Sequence, residues 1–245
     1  MVESIWRKGK LFGFMLLAGI LLMAKPALAD SYYPYEIQGY DVTVKVGKDN
    51  VYHVTERLQV NFNQARHGIY RDIPVINNVS REDGSTSRIQ ARVTNIKTYG
   101  EKRTVGREGS YCRIQLGDKN KTLVGEHMYH ISYDYNMGKD VRKGEDEFYY
   151  NIIGTSWDTT IQNVTFHIMM PEDIDESKVG MAYGESGSTN NEGLQYTING
   201  KVMEGYVDPS IILNPGEAVT VRLVLPDGYY DQVKQRIWPA LIRIL

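Results

Sequence analysis

Two alternating runs constrain this chain most. Tyr40, Val42, Val44 and Val46 alternate with Asp41, Thr43 and Lys45, and after the turn Gly47-Lys48-Asp49-Asn50 the pattern resumes. Tyr52, Val54, Leu58, Val60 and Phe62 then share one parity, with His53, Thr55, Arg57, Gln59 and Asn61 on the other. A period of two sends successive side chains to opposite faces of a strand, so the pair reads as a half-buried β-hairpin. One residue breaks the pattern. Glu56 stands on the apolar parity, where a carboxylate is costly unless it is paired or a bulge turns it to solvent.

The segment that follows supplies a partner for Glu56. In His67-Gly68-Ile69-Tyr70-Arg71-Asp72-Ile73-Pro74, Arg71 shares its parity with Ile69 and Ile73. A buried arginine also needs a counter-charge. We therefore expect a semi-buried Glu56–Arg71 ion pair, with the bulge as the alternative. Tyr70 and Asp72, on the opposite parity, would then face solvent or a partner, and together with His67 they form a candidate contact surface. An interfacial tyrosine buries apolar area and keeps a polar tip. The competing reading is that all of these residues simply close a sheet edge. Pro74 donates no hydrogen bond and should end the pairing or sit on an edge.

Further alternating runs follow at Ile89–Tyr99, Tyr111–Leu116, Leu123–Tyr135, Phe148–Ile153, Val164–Met170, Leu194–Ile198, Val202–Val207 and Val219–Leu225. Asn199-Gly200 fits a type I′ hairpin and Asn214-Pro215-Gly216-Glu217 a type II turn. Residues 76–87 are polar and turn-rich and read as a loop. No stretch between 31 and 228 has a long helical period. About a dozen short strands with regular turns predict an all-β, sandwich-type, immunoglobulin-like domain over 31–228, or two β subdomains in tandem. Residues 136–147, rich in glycine and charge, are the candidate boundary. The many tyrosines mostly occupy strand positions and read first as core.

The two ends bear on location. Arg7, Lys8 and Lys10, the apolar run Leu11–Met23 and Ala27-Leu28-Ala29 have the order of a secretory signal peptide over residues 1–29. That segment carries four basic side chains and one acidic, so its removal takes the net charge from −2 to −5. A mildly acidic exported domain does not favour nucleic acid as a partner. Residues 229–245 end on an apolar stretch that reads as a short tail or as the start of a membrane segment.

Reactive groups are sparse. Cys112 is the only cysteine, which excludes an intrachain disulfide, and it reads as packing. His127-x-x-His130 lies on a strand, where i and i+3 face opposite sides, so no metal is expected. Glu172-Asp173-Ile174-Asp175-Glu176 lacks the order of a calcium loop and reads as a solvated acidic loop. No cofactor is implied, and no catalytic set stands out.

Four stretches together resemble a known family. His67–Pro74 looks like the signature of bacterial predicted membrane proteins classed as domain of unknown function 2207. Glu56 matches a glutamate of that family's early strand. Phe148-Tyr149-Tyr150-Asn151-Ile152-Ile153-Gly154 through Trp157 resembles its aromatic-Asn-x-x-Gly-x-x-Trp segment. Leu213-Asn214-Pro215-Gly216-Glu217, with Leu225-Pro226-Asp227-Gly228-Tyr229, resembles its terminal turn and strand. The resemblance implies a signal peptide, an exported β-rich domain and then membrane helices, and it supplies no catalytic residue. This sequence departs from the pattern after Tyr230, where no membrane span follows, so membrane attachment is expected through a segment missing or truncated after Leu245. The resulting expectation is a binding or structural module contacting a cell-envelope protein or glycan, with an exported hydrolase of envelope polysaccharide or peptide as the alternative.

Overall fold

The structure, a computed structural model, describes residues 33–80, 84–140 and 144–234. The expected signal peptide and residues 235–245 of the expected tail lie outside them. Fifteen strands follow in order: β1 (Tyr35–Val46), β2 (Val51–Arg66), β3 (Gly68–Pro74), β4 (Ile76–Ser80), β5 (Thr86–Gln90), β6 (Arg92–Thr98), β7 (Arg103–Glu108), β8 (Tyr111–Gly117), β9 (Leu123–Asn136), β10 (Glu145–Ile153), β11 (Val164–Met169), β12 (Val179–Gly184), β13 (Leu194–Asn199), β14 (Val202–Val207) and β15 (Ala218–Pro226). A 3₁₀ turn, Glu176–Lys178, is capped by the Asp175 side chain.

The fold is all-β and sandwich-type. A seven-stranded sheet runs β13-β14-β11-β1-β2-β9-β6, against which lie two three-stranded sheets, β10-β15-β12 and β3-β8-β7. The predicted alternation places the core. In β2, Tyr52, Val54, Leu58, Val60 and Phe62 are buried while His53 and Arg57 are exposed. Tyr52 meets Phe148 and Tyr150 of β10 at ring-centroid distances of 5.0 and 5.8 Å, so the main sheet and β10 share one apolar layer. Each fully buried aliphatic or aromatic side chain in such a layer stabilises the fold by about 1.5–3 kcal/mol.

The main sheet draws on both sides of residues 136–147. β1 pairs with β9's neighbour β2 on one edge and, in parallel, with β11 on the other, with Val42 opposite Phe166. The described residues on the two sides of 136–147 cluster in one compact unit. The packed core also runs past residue 228, because Tyr229 and Tyr230 are buried in it. Of residues 76–87, expected to be a loop, 76–80 and 86–87 instead lie in β4 and β5, which pair from Ile76 opposite Gln90 to Ser80 opposite Thr86. Backbone ladder bonds hold this short pair, and only its Val79 is packed deeply, so the segment shows no apolar alternation.

Two glycines fix how β3 enters. Gly68 and Gly117 face each other across β3 and β8, at φ of 139° and 135°. A Cβ on Gly68 would stand 1.8 Å from the Leu116 carbonyl oxygen, and one on Gly117 would stand 2.0 Å from that of His67. Only glycine permits this backbone approach. With β3 seated in this way, Ile69, Arg71 and Ile73 are buried and Tyr70 points outward.

Candidate functional site

β2 places Glu56 on the inner face of the main sheet, in line with Val54 and Leu58, and it is fully buried. β3 brings Arg71, 2% exposed, directly against it. Arg71 Nε donates to Glu56 Oε2 and Nη2 to Oε1, both at 2.8 Å, which is the two-pronged geometry that makes arginine–carboxylate pairs strong. The remaining acceptor positions are filled as well. Tyr40 donates to Oε2 at 2.9 Å and Tyr133 to Oε1 at 2.6 Å. The Tyr133 hydroxyl is 2.8 Å from that of Tyr150, which links the node to β10.

The stretches that carried the family resemblance meet here. Arg71 lies over Trp157, 5.7 Å from the ring centroid, and Tyr40 meets the same ring edge-on at 5.8 Å. Arg71 Nη1 donates to the Asp72 carbonyl at 2.8 Å, and the Ser156 hydroxyl donates to that same oxygen. A Cβ on Gly154 would stand 3.6 Å from Arg71 Nη1, so the Phe148–Trp157 segment wraps the guanidinium closely. The terminal turn holds the wrap in place, with Gly216 N–H donating to the Trp157 carbonyl at 3.0 Å.

The electrostatics follow from this packing. Burial alone would push the Glu56 carboxyl up, but the Arg71 charge and the hydrogen bonds from Arg71, Tyr133 and Tyr40 outweigh it and hold the carboxyl below its usual value. Burial likewise opposes the Arg71 charge, and Glu56 more than restores it. Burial is also the main reason that the Tyr40, Tyr133 and Tyr150 hydroxyls resist ionisation. A carboxylate that is fully buried, fixed in its charged state and saturated with donors is not placed to exchange protons with a substrate. Chemically the node is a clasp that joins β2, β3, β9 and β10.

On the outer side of β3, Tyr70 is 54% exposed, and Arg113 of β8 lies over its ring at 5.0 Å. Arg113 is held by a two-pronged pair to Asp72, at 2.8 and 2.7 Å. The Asp72 hydrogen bond is the main cause of its raised pKa. Asp72 therefore orients Arg113 and is itself only partly open. His67 is turned aside, with Nδ1 2.7 Å from the Lys121 carbonyl. Beside this group is an open depression of about 580 Å³ bordered by Asp72, Asn77, Glu108, Ser110, Tyr111 and Arg113.

The structure thus brings Glu56 to Arg71, and Tyr70 to Asp72 through Arg113, while His67 sits apart from that pair. Sequence reasoning missed Tyr40 and Tyr133 as partners of Glu56, and Tyr150 as a partner of Tyr133. Their core parity was visible, but a tyrosine at such a position looks like packing. Arg113 was missed too, although its register opposite Asp72 follows from pairing Gly68 with Gly117. His127 lies against Phe62 and Tyr129 and is 2.8 Å from Glu101, whereas His130 is stacked under Tyr99. Cys112 is half-buried opposite Ile73.

A family model for the N-terminal domain of predicted membrane proteins, DUF2207, matches residues 36–225. The chain belongs to this family. The matched span of this DUF2207 domain contains every residue of the clasp. Among the described residues no helix is long and apolar enough to cross a membrane. No curated protein matches the sequence. Among solved structures, the chain is similar to leukotriene A4 hydrolase from Saccharomyces cerevisiae, at 6% identity over 79% of this chain and 30% of that one, with a TM-score of 0.45. It is similar also to an M1 zinc metallopeptidase from Deinococcus radiodurans, at 9% identity over 77% and 42%, with a TM-score of 0.40. The DUF2207 chain spans less than half the length of either protein.

Proposed function

We propose that this domain is a binding or structural module on the outer side of the cell membrane, contacting another envelope component through the Tyr70–Arg113 face. The observation that carries this reading is the contrast between the two sides of β3. The inner side is locked by the Glu56–Arg71 clasp. The outer side presents a half-exposed tyrosine on an arginine that Asp72 holds in place, next to an open depression. Tyrosine and arginine on a rigid support are the residue types that most often dominate binding energy at interfaces. The export signal expected from residues 1–29 and the membrane-protein family agree with an envelope setting.

In-cell photocrosslinking tests this reading. A benzophenone amino acid at position 70 is expected to give a discrete adduct in the membrane fraction. The same group at Thr197, on the exposed side of β13 in the main sheet, serves as control. No adduct from position 70, or the same adduct from both positions, would overturn the assignment of this face. A turnover screen on envelope glycans and peptides complements it. Hydrolysis abolished by one carboxylate substitution would replace the binding reading with the hydrolase one.

A further inference from the structure

Among the described residues, the sheet β3-β8-β7 ends in an uncovered strand. Every residue of β7 is exposed, whereas Ile114 and Leu116 of the neighbouring β8 are fully buried. Arg103, Val105 and Arg107 stand opposite Leu116, Ile114 and Cys112, which puts them on the core-facing side of the sheet, yet Val105 is 45% exposed. The sheet overhangs the core by one strand. The ladder identifies the backbone groups left over at this rim. β7 and β8 are joined by the two-residue turn Gly109-Ser110, with Glu108 opposite Tyr111. Residues flanking such a turn exchange both hydrogen bonds, and bonded and non-bonded pairs then alternate along the ladder. Glu108, Gly106 and Thr104 therefore bond to β8, and the Gly117 N–H donating to the Lys102 carbonyl at 2.9 Å continues that series. The N–H and C=O groups of Arg103, Val105 and Arg107 point out of the sheet, and no described residue bonds to them.

Proteins blunt free edges with bulges, prolines or inward charges. β6, at the edge of the main sheet, has a register shift between Thr94 and Lys97, and β3 ends on Pro74. β7 contains no proline and pairs in unbroken register from Arg103 to Glu108. What it carries is positive charge. Among the described residues Arg103 has no ion-pair partner, and Arg107 donates Nε to the Gly109 carbonyl rather than to a carboxylate. Antiparallel pairing of two copies about Val105 would set each Arg103 directly against an Arg107, and like charges in that position are destabilising. A foreign strand with carboxylates at the same places meets the opposite situation.

We propose that the free edge of β7 takes up an extended segment of an acidic partner polypeptide by strand addition, with an acid-x-apolar-x-acid pattern set opposite Arg107, Val105 and Arg103. Main-chain bonds to the three outward residues would hold the segment, and the alternate side chains would select it. The site uses the rim and core-facing side of the sheet, opposite to Tyr70 and Arg113, and stands without the reading of that face. Fluorescence anisotropy with the full-length chain tests it. The probes are a labelled cyclic β-hairpin peptide with one strand of threonines alternating with glutamate, valine and glutamate, and its counterpart with lysines for the glutamates. The acidic hairpin is expected to bind saturably below about 1 mM and at least about fivefold more tightly than the lysine one. Arg103→Glu combined with Arg107→Glu should reverse that preference, and Tyr70→Ala should leave it unchanged. Val105→Pro removes an outward N–H and no bond to β8, so it should weaken binding about tenfold or more. If Val105→Pro melts early, the charge reversal decides. No saturable binding of the acidic hairpin up to about 1 mM, equal binding of the two hairpins, or a preference that survives charge reversal overturns the proposal. Binding that a folded Val105→Pro variant leaves unaltered also overturns it, because charge attraction without strand pairing would then suffice.

Discussion

Glu56→Gln is the most informative single substitution in the clasp. It keeps the shape of the side chain but removes its charge. In the native domain the two carboxylate oxygens receive four hydrogen bonds, two from Arg71 and one each from Tyr40 and Tyr133. A glutamine offers one accepting oxygen and turns an NH₂ donor towards groups that also donate. Arg71, 2% exposed, would be left as a buried charge without its counter-charge. Removing one partner of a buried ion pair costs about 3–5 kcal/mol. For a domain of this size each kcal/mol lowers the melting temperature by roughly 2–4 °C, so the expected drop is about 6–20 °C. Thermal and urea unfolding followed by circular dichroism at neutral pH would measure it. A loss below about 1 kcal/mol, the range of ordinary substitutions, would refute the reasoning. The double variant Glu56→Leu with Arg71→Met supplies an internal check. It should be less damaged than either single change, because no uncompensated charge stays buried, although Tyr40 and Tyr133 lose their acceptor.

The same clasp sets a pH dependence. Because the Glu56 carboxyl is held below its ordinary value of about 4.3, its contribution is fully present above that value and is lost as the pH falls towards the lowered one. Acid titration of the melting temperature should therefore show a steeper loss below about pH 4.3 in the native protein than in the Glu56→Gln variant. Gly68→Ala should destabilise by at least about 1–3 kcal/mol from backbone strain alone, because φ is 139° and the new Cβ meets the Leu116 carbonyl; chemical denaturation would read it. Tyr70→Ala should change stability by no more than about 0.5 kcal/mol, as expected for a side chain that is more than half exposed.

Some of this arrangement was legible in the sequence because it breaks a local rule. Glu56 and Arg71 each stand on the apolar parity of a strand, and two opposite charges in such positions have few ways to be satisfied other than by each other. Tyr40, Tyr133 and Tyr150 break no rule. Their rings belong in a core, and nothing in the spacing reveals that the Tyr40 and Tyr133 hydroxyls converge on one carboxylate while that of Tyr150 bonds Tyr133. The parallel pairing of β1 with β11 was not visible either, because register between strands more than a hundred residues apart is fixed by the packing of whole faces. The β4–β5 hairpin was hidden for a different reason. Its ladder is made by backbone groups, which every residue but proline supplies, so Asn77, Asn78, Thr86 and Ser87 read as a loop. Asp72 was expected to face solvent or a partner. It pairs with Arg113, which it holds over the Tyr70 ring.

On the proposed reading, the inner side of β3 holds the fold while its outer side makes contacts. Crosslinking yield from position 70, measured together with melting temperature in an Arg113→Ala background, tests it most directly. The yield of the membrane-fraction adduct is expected to fall severalfold while the melting temperature stays within about 4 °C of the parent, the shift expected for losing a partly exposed ion pair of up to about 1 kcal/mol. An unchanged yield, or a yield that falls only in step with a collapse of the melting temperature, would contradict it.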